Sequence, residues 1–92
     1  MVLIHRYGLA VSDPSGVSYD VRAYGSQRPD GLWEGWLAFV PGEGQAILQT
    51  APETSQSSRE DLARWAAGLA PAYFDGAYRR ARRFGENATA AA

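Results

Sequence analysis

The chain has 92 residues, a formal net charge of −1 and no cysteine, and its nine basic residues are all arginine. This length favours a single domain with one core, which we place at residues 1–84. The lack of cysteine excludes disulfides and thiolate metal sites within the chain. The near-neutral charge excludes a strong overall field that would attract nucleic acid. Exclusive use of arginine is typical of a GC-rich bacterial genome.

The first half of the chain is divided by three turn sequences, at residues 13–16, 28–31 and 41–44, each with a proline and a glycine. Between and beside them lie four strand-like runs, at residues 2–11, 17–25, 32–40 and 45–50. The connections are short, which predicts antiparallel neighbours in a meander of three to four strands.

The third run is apolar on both faces, which is unusual for a strand covered on one side. We assign one face to the helix side, where Gly35 would allow close approach of Ala66 and Leu69: Trp33, Gly35, Leu37, Phe39. The other face is too apolar for water and is the predicted partner or oligomer interface: Leu32, Trp36, Ala38, Val40. The alternatives are a cover within the monomer, from residues 2–4 or Pro41, and a homodimer through a sheet edge.

The second half of the chain predicts a helix. Ser57 and Glu60 fit a capping box, and apolar residues then recur with helical period. The apolar phase continues through Pro71, so we predict one long bent C-terminal helix, residues 58–84, packed on one face of the sheet. Two helices broken at Ala70 are the alternative. The predicted fold class is therefore α+β.

An arginine cluster lies at the end of this helix. Basic residues in a last helical turn complement the helix dipole, which accounts for the cluster without any ligand. The functional alternative is a nucleic-acid contact in which arginines bind phosphates and a tyrosine stacks: Tyr78, Arg79, Arg80, Arg82, Arg83.

No catalytic or metal-binding motif stands out in the sequence. His5 is the single histidine, and the serines near residue 57 have no histidine close in sequence to activate them. A polar pocket that brought Glu34, Glu53 and His5 together would favour an enzyme. Without that convergence we expect a non-catalytic protein with no cofactor.

Residues 19–81, about two thirds of the chain, resemble the HicB-like antitoxin family. The resemblance lies in an aromatic-rich strand ending in proline at residues 33–41, a short strand at 46–50, a threonine segment at 53–54 and a helix from Ser58. It implies a partial double-stranded-RNA-binding-domain fold, a tendency to self-associate and a toxin-like protein partner.

We therefore expect a small bacterial interaction module that forms a homo-oligomer and binds a protein, with nucleic-acid binding as the alternative function. The N-terminal apolar run is interrupted by His5 and Arg6 and is too short to cross a bilayer, which predicts a cytoplasmic protein without membrane association. Residues 85–92 have little apolar surface and predict a disordered tail.

Overall fold

The computed structural model describes residues 1–42 and 44–83. It contains six strands: β1 (Val2–Ser12), β2 (Ser18–Gln27), β3 (Trp33–Val40), β4 (Leu48–Gln49), β5 (Thr54–Gln56) and β6 (Arg82–Arg83). Two helices lie between β5 and β6: α1 (Arg59–Ala67) and α2 (Pro71–Arg80). The predicted disordered tail lies outside the described residues. Among the described helices, none combines the length and apolar character needed to span a membrane.

The α+β class and the antiparallel order of the long strands are confirmed, but the predicted fold of a meander plus one long helix is wrong. The six-stranded sheet has the order β1-β2-β3-β4-β6, and β5 pairs with β3 beside β4. Two strands that the sequence did not reveal, β5 and β6, are three and two residues long, and the predicted fourth run is reduced to the two residues of β4. Such strands are too short to show a hydrophobic period, because they depend on pairing with distant residues.

The long bent helix is also wrong, since the chain forms two helices that meet at the alternative break point. Gly68 ends α1 by donating its N–H to the carbonyl oxygens of Arg64 and Trp65. Ala70 has extended backbone and precedes Pro71, the first residue of α2. Proline is favoured there because its missing N–H would have had no helical partner. The proline thus begins a helix, and does not bend one.

The start of α1 is displaced by one residue from the predicted cap. Ser58 is the N-cap, and its hydroxyl accepts from the Asp61 N–H at 3.0 Å. Ser57 instead donates its hydroxyl to the Asp61 carboxylate. Glu60 turns towards Arg64, with which it forms an i,i+4 ion pair, and does not complete the predicted capping box.

The first two predicted turns are closed by backbone hydrogen bonds from Gly16 to Asp13 and from Gly31 to Arg28, and each predicted turn sequence contains a glycine with positive φ: Gly16, Gly31 and Gly44. L-residues with a Cβ rarely adopt this conformation, so glycine is required at these positions. The turns therefore set the lengths of the first three strands.

Both helices pack on one face of the sheet and enclose the core. The prediction that Leu37 and Phe39 face the helices is confirmed, because both are fully buried there. The other members of the buried cluster come from β2, the two helices and the residue after α2: Tyr19, Val21, Ala23, Ala66, Phe74, Ala77, Ala81. Tyr7 of β1 ties the first helix to the sheet by donating its hydroxyl to the Ala66 carbonyl at 2.7 Å.

A notch formed by two glycines fixes how closely α1 approaches the sheet. Gly25 and Gly35 are paired across β2 and β3. A Cβ on either glycine would lie well inside the van der Waals contact distance of a Leu62 methyl carbon, and one on Gly35 would also lie 3.2 Å from Thr54 Cγ2. Leu62, which is fully buried, fills the notch in place of the predicted Ala66 and Leu69.

The outer edge of β3 is covered by a broken strand. The pairs Ala38–Gln49 and Gly35–Thr54 are three residues apart on β3 and five apart on the returning chain, so two residues bulge outwards. Pro52 lies in this bulge and has no N–H for a ladder. Thr50 bridges the break, since its N–H donates to the Leu37 carbonyl and its hydroxyl accepts from the Leu37 N–H.

The notch generates a stability prediction. Gly35→Ala should lower the free energy of unfolding by about 1–3 kcal/mol, because the added methyl group overpacks the Leu62 site. The melting temperature should fall by roughly 4–8 °C per kcal/mol in a domain of this size. Thermal unfolding followed by circular dichroism measures the change.

Gly8→Ala is the matched control, because nothing lies within 4 Å of its added Cβ. We expect that variant to melt at or slightly above the parent temperature, since alanine reduces the entropy of the unfolded chain. In a Leu62→Ala background, Gly35→Ala should lose most of its cost. An equal cost in both backgrounds would show that Leu62 is not the obstacle.

Candidate interaction surface on the open sheet face

The face of the sheet opposite the helices carries a second set of side chains, which we call the open face. Successive side chains of a strand point to opposite faces, so these residues alternate with those of the core. They come from four strands: Leu3, Arg6, Asp20, Arg22, Tyr24, Ser26, Glu34, Trp36, Ala38, Val40, Gln49. No described helix covers them.

The strand register aligns these side chains in rows that run across the strands. Leu3, Tyr24 and Trp36 are paired in succession and form an apolar row, the aromatic row. On one side of it lies the arginine row, which the register orders as Arg6, Arg22, Ala38, Gln49, Arg82. On the other side lies the Glu34 row: Ser26, Glu34, Ser55. The aromatic row therefore lies between a row that carries arginines and a row that carries Glu34, while Asp20 lies on the far side of the arginines.

Trp36 lies beside a groove of about 410 Å³ at the outer edge of the open face. Ser26 and Glu34 line one side of this groove, and Thr50 with the bulged residues Ala51 and Pro52 lines the other. The indole N–H of Trp36 is buried and has no hydrogen-bond partner among the described residues. A buried donor without an acceptor costs free energy, so Trp36 is held here by the packing of its ring and not by a hydrogen bond among the described residues.

A smaller apolar depression of about 80 Å³ lies over Ala38. Its walls include the apolar side chains of Val40 and Ile47, with Met1 at its rim. Arg22 and Tyr24 close the side nearest the aromatic row. The depression has about the size of an aliphatic side chain.

The charges on the open face are largely paired within the chain. The Asp20 carboxylate accepts from Arg22 Nε at 2.9 Å and lies 3.6 Å from Arg6 Nη2. Glu34 lies 3.9 Å from Arg28 Nε. The hydrogen bonds to Tyr24 and Asp20 raise the pKa of Arg22, so this guanidinium is charged at any ordinary pH.

Three of the four predicted interface residues lie together on the open face: Trp36, Ala38 and Val40. Leu32 lies outside β3, in the hairpin, where its carbonyl accepts from the Arg28 N–H. The alternative cover from the N-terminal residues is not formed, because Leu3 lies within the sheet beside Tyr24 and is 43% exposed.

The predicted nucleic-acid contact residues do not share one surface. Tyr78 is directed into the core, where its ring packs against Tyr19 at 5.4 Å and against Phe39 at 5.5 Å. It is therefore poorly placed to stack on a base. Burial is the main cause of the raised pKa of its hydroxyl.

The arginines of the cluster are directed to different places. Arg80 forms an ion pair with Glu53. Arg82 donates to the carbonyl oxygens at the end of α2, among them that of Ala81 at 3.1 Å. Arg83 lies in β6 opposite Leu48, and Arg79 is exposed on α2. Capping of the helix end therefore accounts for part of the cluster, as the dipole interpretation expects.

A polar network that sequence reasoning missed joins α2 to the chain before β5. Glu53, whose side chain is only 10% exposed, accepts from the Tyr73 hydroxyl at 2.6 Å and pairs with Arg80. The Arg80 guanidinium also lies over the Tyr73 ring. These residues are far apart in sequence, and no local pattern connects them.

Glu34, Glu53 and His5 do not converge on one pocket. Glu34 lies on the open face, Glu53 contacts α2, and His5 stacks edge-on against Tyr7 at 4.6 Å. Among the described residues, no group of three or more histidine, aspartate or glutamate side chains could hold a metal ion.

Comparison with known proteins found no relative of this chain. No protein-family model matches it, and no curated protein or solved structure shows significant similarity to it.

The two tyrosines that anchor the helices generate a pH prediction. Burial, as the largest cause, raises the pKa of Tyr7 and of Tyr73 from 10.0 to about 12. A raised pKa in the folded state stabilises the fold fully below the unfolded-state value and less as pH rises through the folded-state value. The free energy of unfolding should therefore fall between pH 10 and pH 12. Urea unfolding across this range measures the loss.

The variant with Tyr7→Phe and Tyr73→Phe should be less stable at neutral pH, since it lacks both hydroxyl hydrogen bonds. Its stability should fall less steeply over the same alkaline range. Parallel pH profiles for the parent and the variant would show that these hydroxyls titrate as in the unfolded chain.

Proposed function

We propose that the protein is a non-catalytic interaction module that self-associates, with the open face of one copy bound to the open face of a second. The observation that carries the proposal is the aromatic row, an apolar band on a sheet face that no described helix covers. Apolar bands of this kind mark interfaces in soluble proteins.

The size of the molecule is suited to such an interface. Its extents are 41, 32 and 21 Å, and the shortest matches one helix layer on one sheet layer. An ellipse with the two longer axes covers about 1,000 Å², against roughly 800 Å² per partner in a standard stable interface. This projected area is an upper limit for the open face, and a contact over most of it would reach the size of a standard interface.

Pairing through a sheet edge has less support than pairing through the face. Strand β1 forms one edge of the sheet. Its pairing with β2 is interrupted between Leu3 and His5 and again between Arg6 and Ala10. Such bulges are a common device against edge-to-edge pairing. At the opposite edge, β6 is only two residues long and offers a short ladder.

The alternative function, nucleic-acid binding through the arginine cluster, has weaker support. Phosphate recognition needs cations on one accessible surface, whereas Arg80 and Arg82 are engaged within the fold. The HicB-like resemblance, its toxin-like partner and the cytoplasmic location stay predictions from the sequence.

Self-association can be tested on the full chain by sedimentation equilibrium, with an expected mass of twice the 10.0 kDa monomer. Leu3 and Ile47 are 43% and 41% exposed, so Leu3→Glu and Ile47→Glu should leave the fold intact. Burial of such a side chain contributes about 1.5–3 kcal/mol, and each substitution occurs twice in a dimer. The dimer Kd should rise by more than about tenfold.

Ala63→Glu on the exposed side of α1 introduces the same charge away from the open face and is the matched control. It should associate like the parent. A parent chain that stays monomeric at high micromolar concentration would overturn the proposal. So would an Ala63→Glu variant that dissociates as readily as the other two.

A further inference from the structure

The charges of the open face restrict how a second copy can dock. Two sheets that meet face to face in a symmetric dimer are related by a two-fold axis that lies between them. The axis can run along the strands or across them, along the rows. Both choices keep the strands of the two sheets roughly aligned, as in common sheet packings. They differ in which rows meet.

An axis along the strands brings each row over its own copy. Arg22 would then face the arginine row of the second copy, and Glu34 would face another Glu34 row. Like charges brought together in an interface are unfavourable, because neither gains a partner to offset its lost hydration.

An axis along the aromatic row brings unlike rows together. The aromatic row then contacts itself, so Trp36 lies against Trp36 of the second copy. The arginine row lies over the Glu34 row, about 7 Å to the side of the axis, the length of two strand residues. Further along β3, Val40 lies over the hairpin residue Leu32 of the second copy. Leu32, the fourth predicted interface residue, is therefore part of the same interface as the other three.

We propose that the two copies are related by a two-fold axis along the aromatic row, and that Arg22 of each copy forms an ion pair with Glu34 of the other. This inference rests on the self-association proposed above. It adds the orientation and the charge pair that selects it.

The side chains have the capacity for this pair. Arg22 uses Nε towards Asp20 and Nη1 towards Tyr24, while a guanidinium carries five donors. Glu34 is 31% exposed and lies 3.9 Å from its nearest cation, Arg28, which is too long for a strong hydrogen bond. In the dimer, Arg22 of one copy lies over β2 of the second copy, and Glu34 of that second copy lies on the neighbouring strand β3. An arginine side chain can reach it, because packed sheets lie about 10 Å apart.

The test uses two opposite charge reversals, Arg22→Glu and Glu34→Arg, in the full chain. In a homodimer of either variant, both inter-copy pairs become like-charged, and we expect association to weaken by more than about tenfold at low salt. In an equimolar mixture of the two variants, each heterodimer regains two opposite-charge pairs. Sedimentation equilibrium of each variant alone and of the mixture measures this, with circular dichroism to confirm folding.

Recovery of dimer mass in the mixture alone supports the proposed orientation. An axis along the strands predicts a different result, in which Arg22→Glu associates with the parent chain and gains nothing from Glu34→Arg. Homodimers of both variants that are as stable as the parent overturn the orientation but leave self-association intact. A monomeric parent overturns self-association itself.

If Arg22→Glu fails to fold beside Asp20, Arg22→Gln and Glu34→Gln replace the reversals. The proposed pair predicts that each neutral variant weakens the dimer and that the double variant weakens it by less than the two effects combined. Additive effects of the two substitutions on dimer association overturn the pair.

Salt-dependent binding of a mixed-sequence single-stranded DNA to the parent, lost in Arg22→Gln, would instead assign the arginine and aromatic rows to nucleic acid.

Discussion

The insertion of Leu62 between Gly25 and Gly35 is the contact on which the arrangement of the two layers depends. Two glycines paired across neighbouring strands remove the side chains that would otherwise hold a helix away from the sheet. Leu62 enters this space and is fully buried, so α1 lies close over β2 and β3. Because α1 is fixed there, the core forms on that side and alternate residues of the same strands are left on the other.

The remaining connections attach α2 and the short strands to this central contact. Tyr7 holds the end of α1 through the Ala66 carbonyl, and its ring packs against Phe74 of α2. Glu53 joins α2 to the chain that follows the outer edge of β3. Thr50 supplies the hydrogen bonds that the bulge at Pro52 interrupts. The fold of this small domain is thus maintained by a few polar contacts between distant segments as well as by its apolar core.

The open face follows from the same geometry. Strands whose residues alternate must present a second surface, and one helix layer can cover only one of the two. What distinguishes this surface is its order, with an apolar row between a row that carries arginines and a row that carries Glu34. Such a pattern complements itself when a second copy is turned about the apolar band, so one chain can supply both halves of an interface.

The sequence by itself determined the features that depend on neighbouring residues. Gly16, Gly31 and Gly44 mark the turns because only glycine adopts their backbone conformation readily, and alternation assigned Leu37 and Phe39 to the core. The same alternation placed Trp36, Ala38 and Val40 on one surface, although it gave no neighbours for them. Pro71 indicated a possible break in the helix, but the continuous apolar period favoured a single bent helix, which is wrong. A helical period of apolar residues does not show whether the backbone that joins two helical segments is itself helical.

Only the tertiary structure decided the features that depend on residues far apart in the chain. The strands β5 and β6, which no run in the sequence predicted, are too short to be stable alone and exist because β3 and β4 offer them backbone partners. The pairing of Glu53 with Tyr73 and Arg80 has no local signature. The bands of the open face arise from the register between strands, because a single sequence position gives the face of a side chain but not which distant side chains lie beside it.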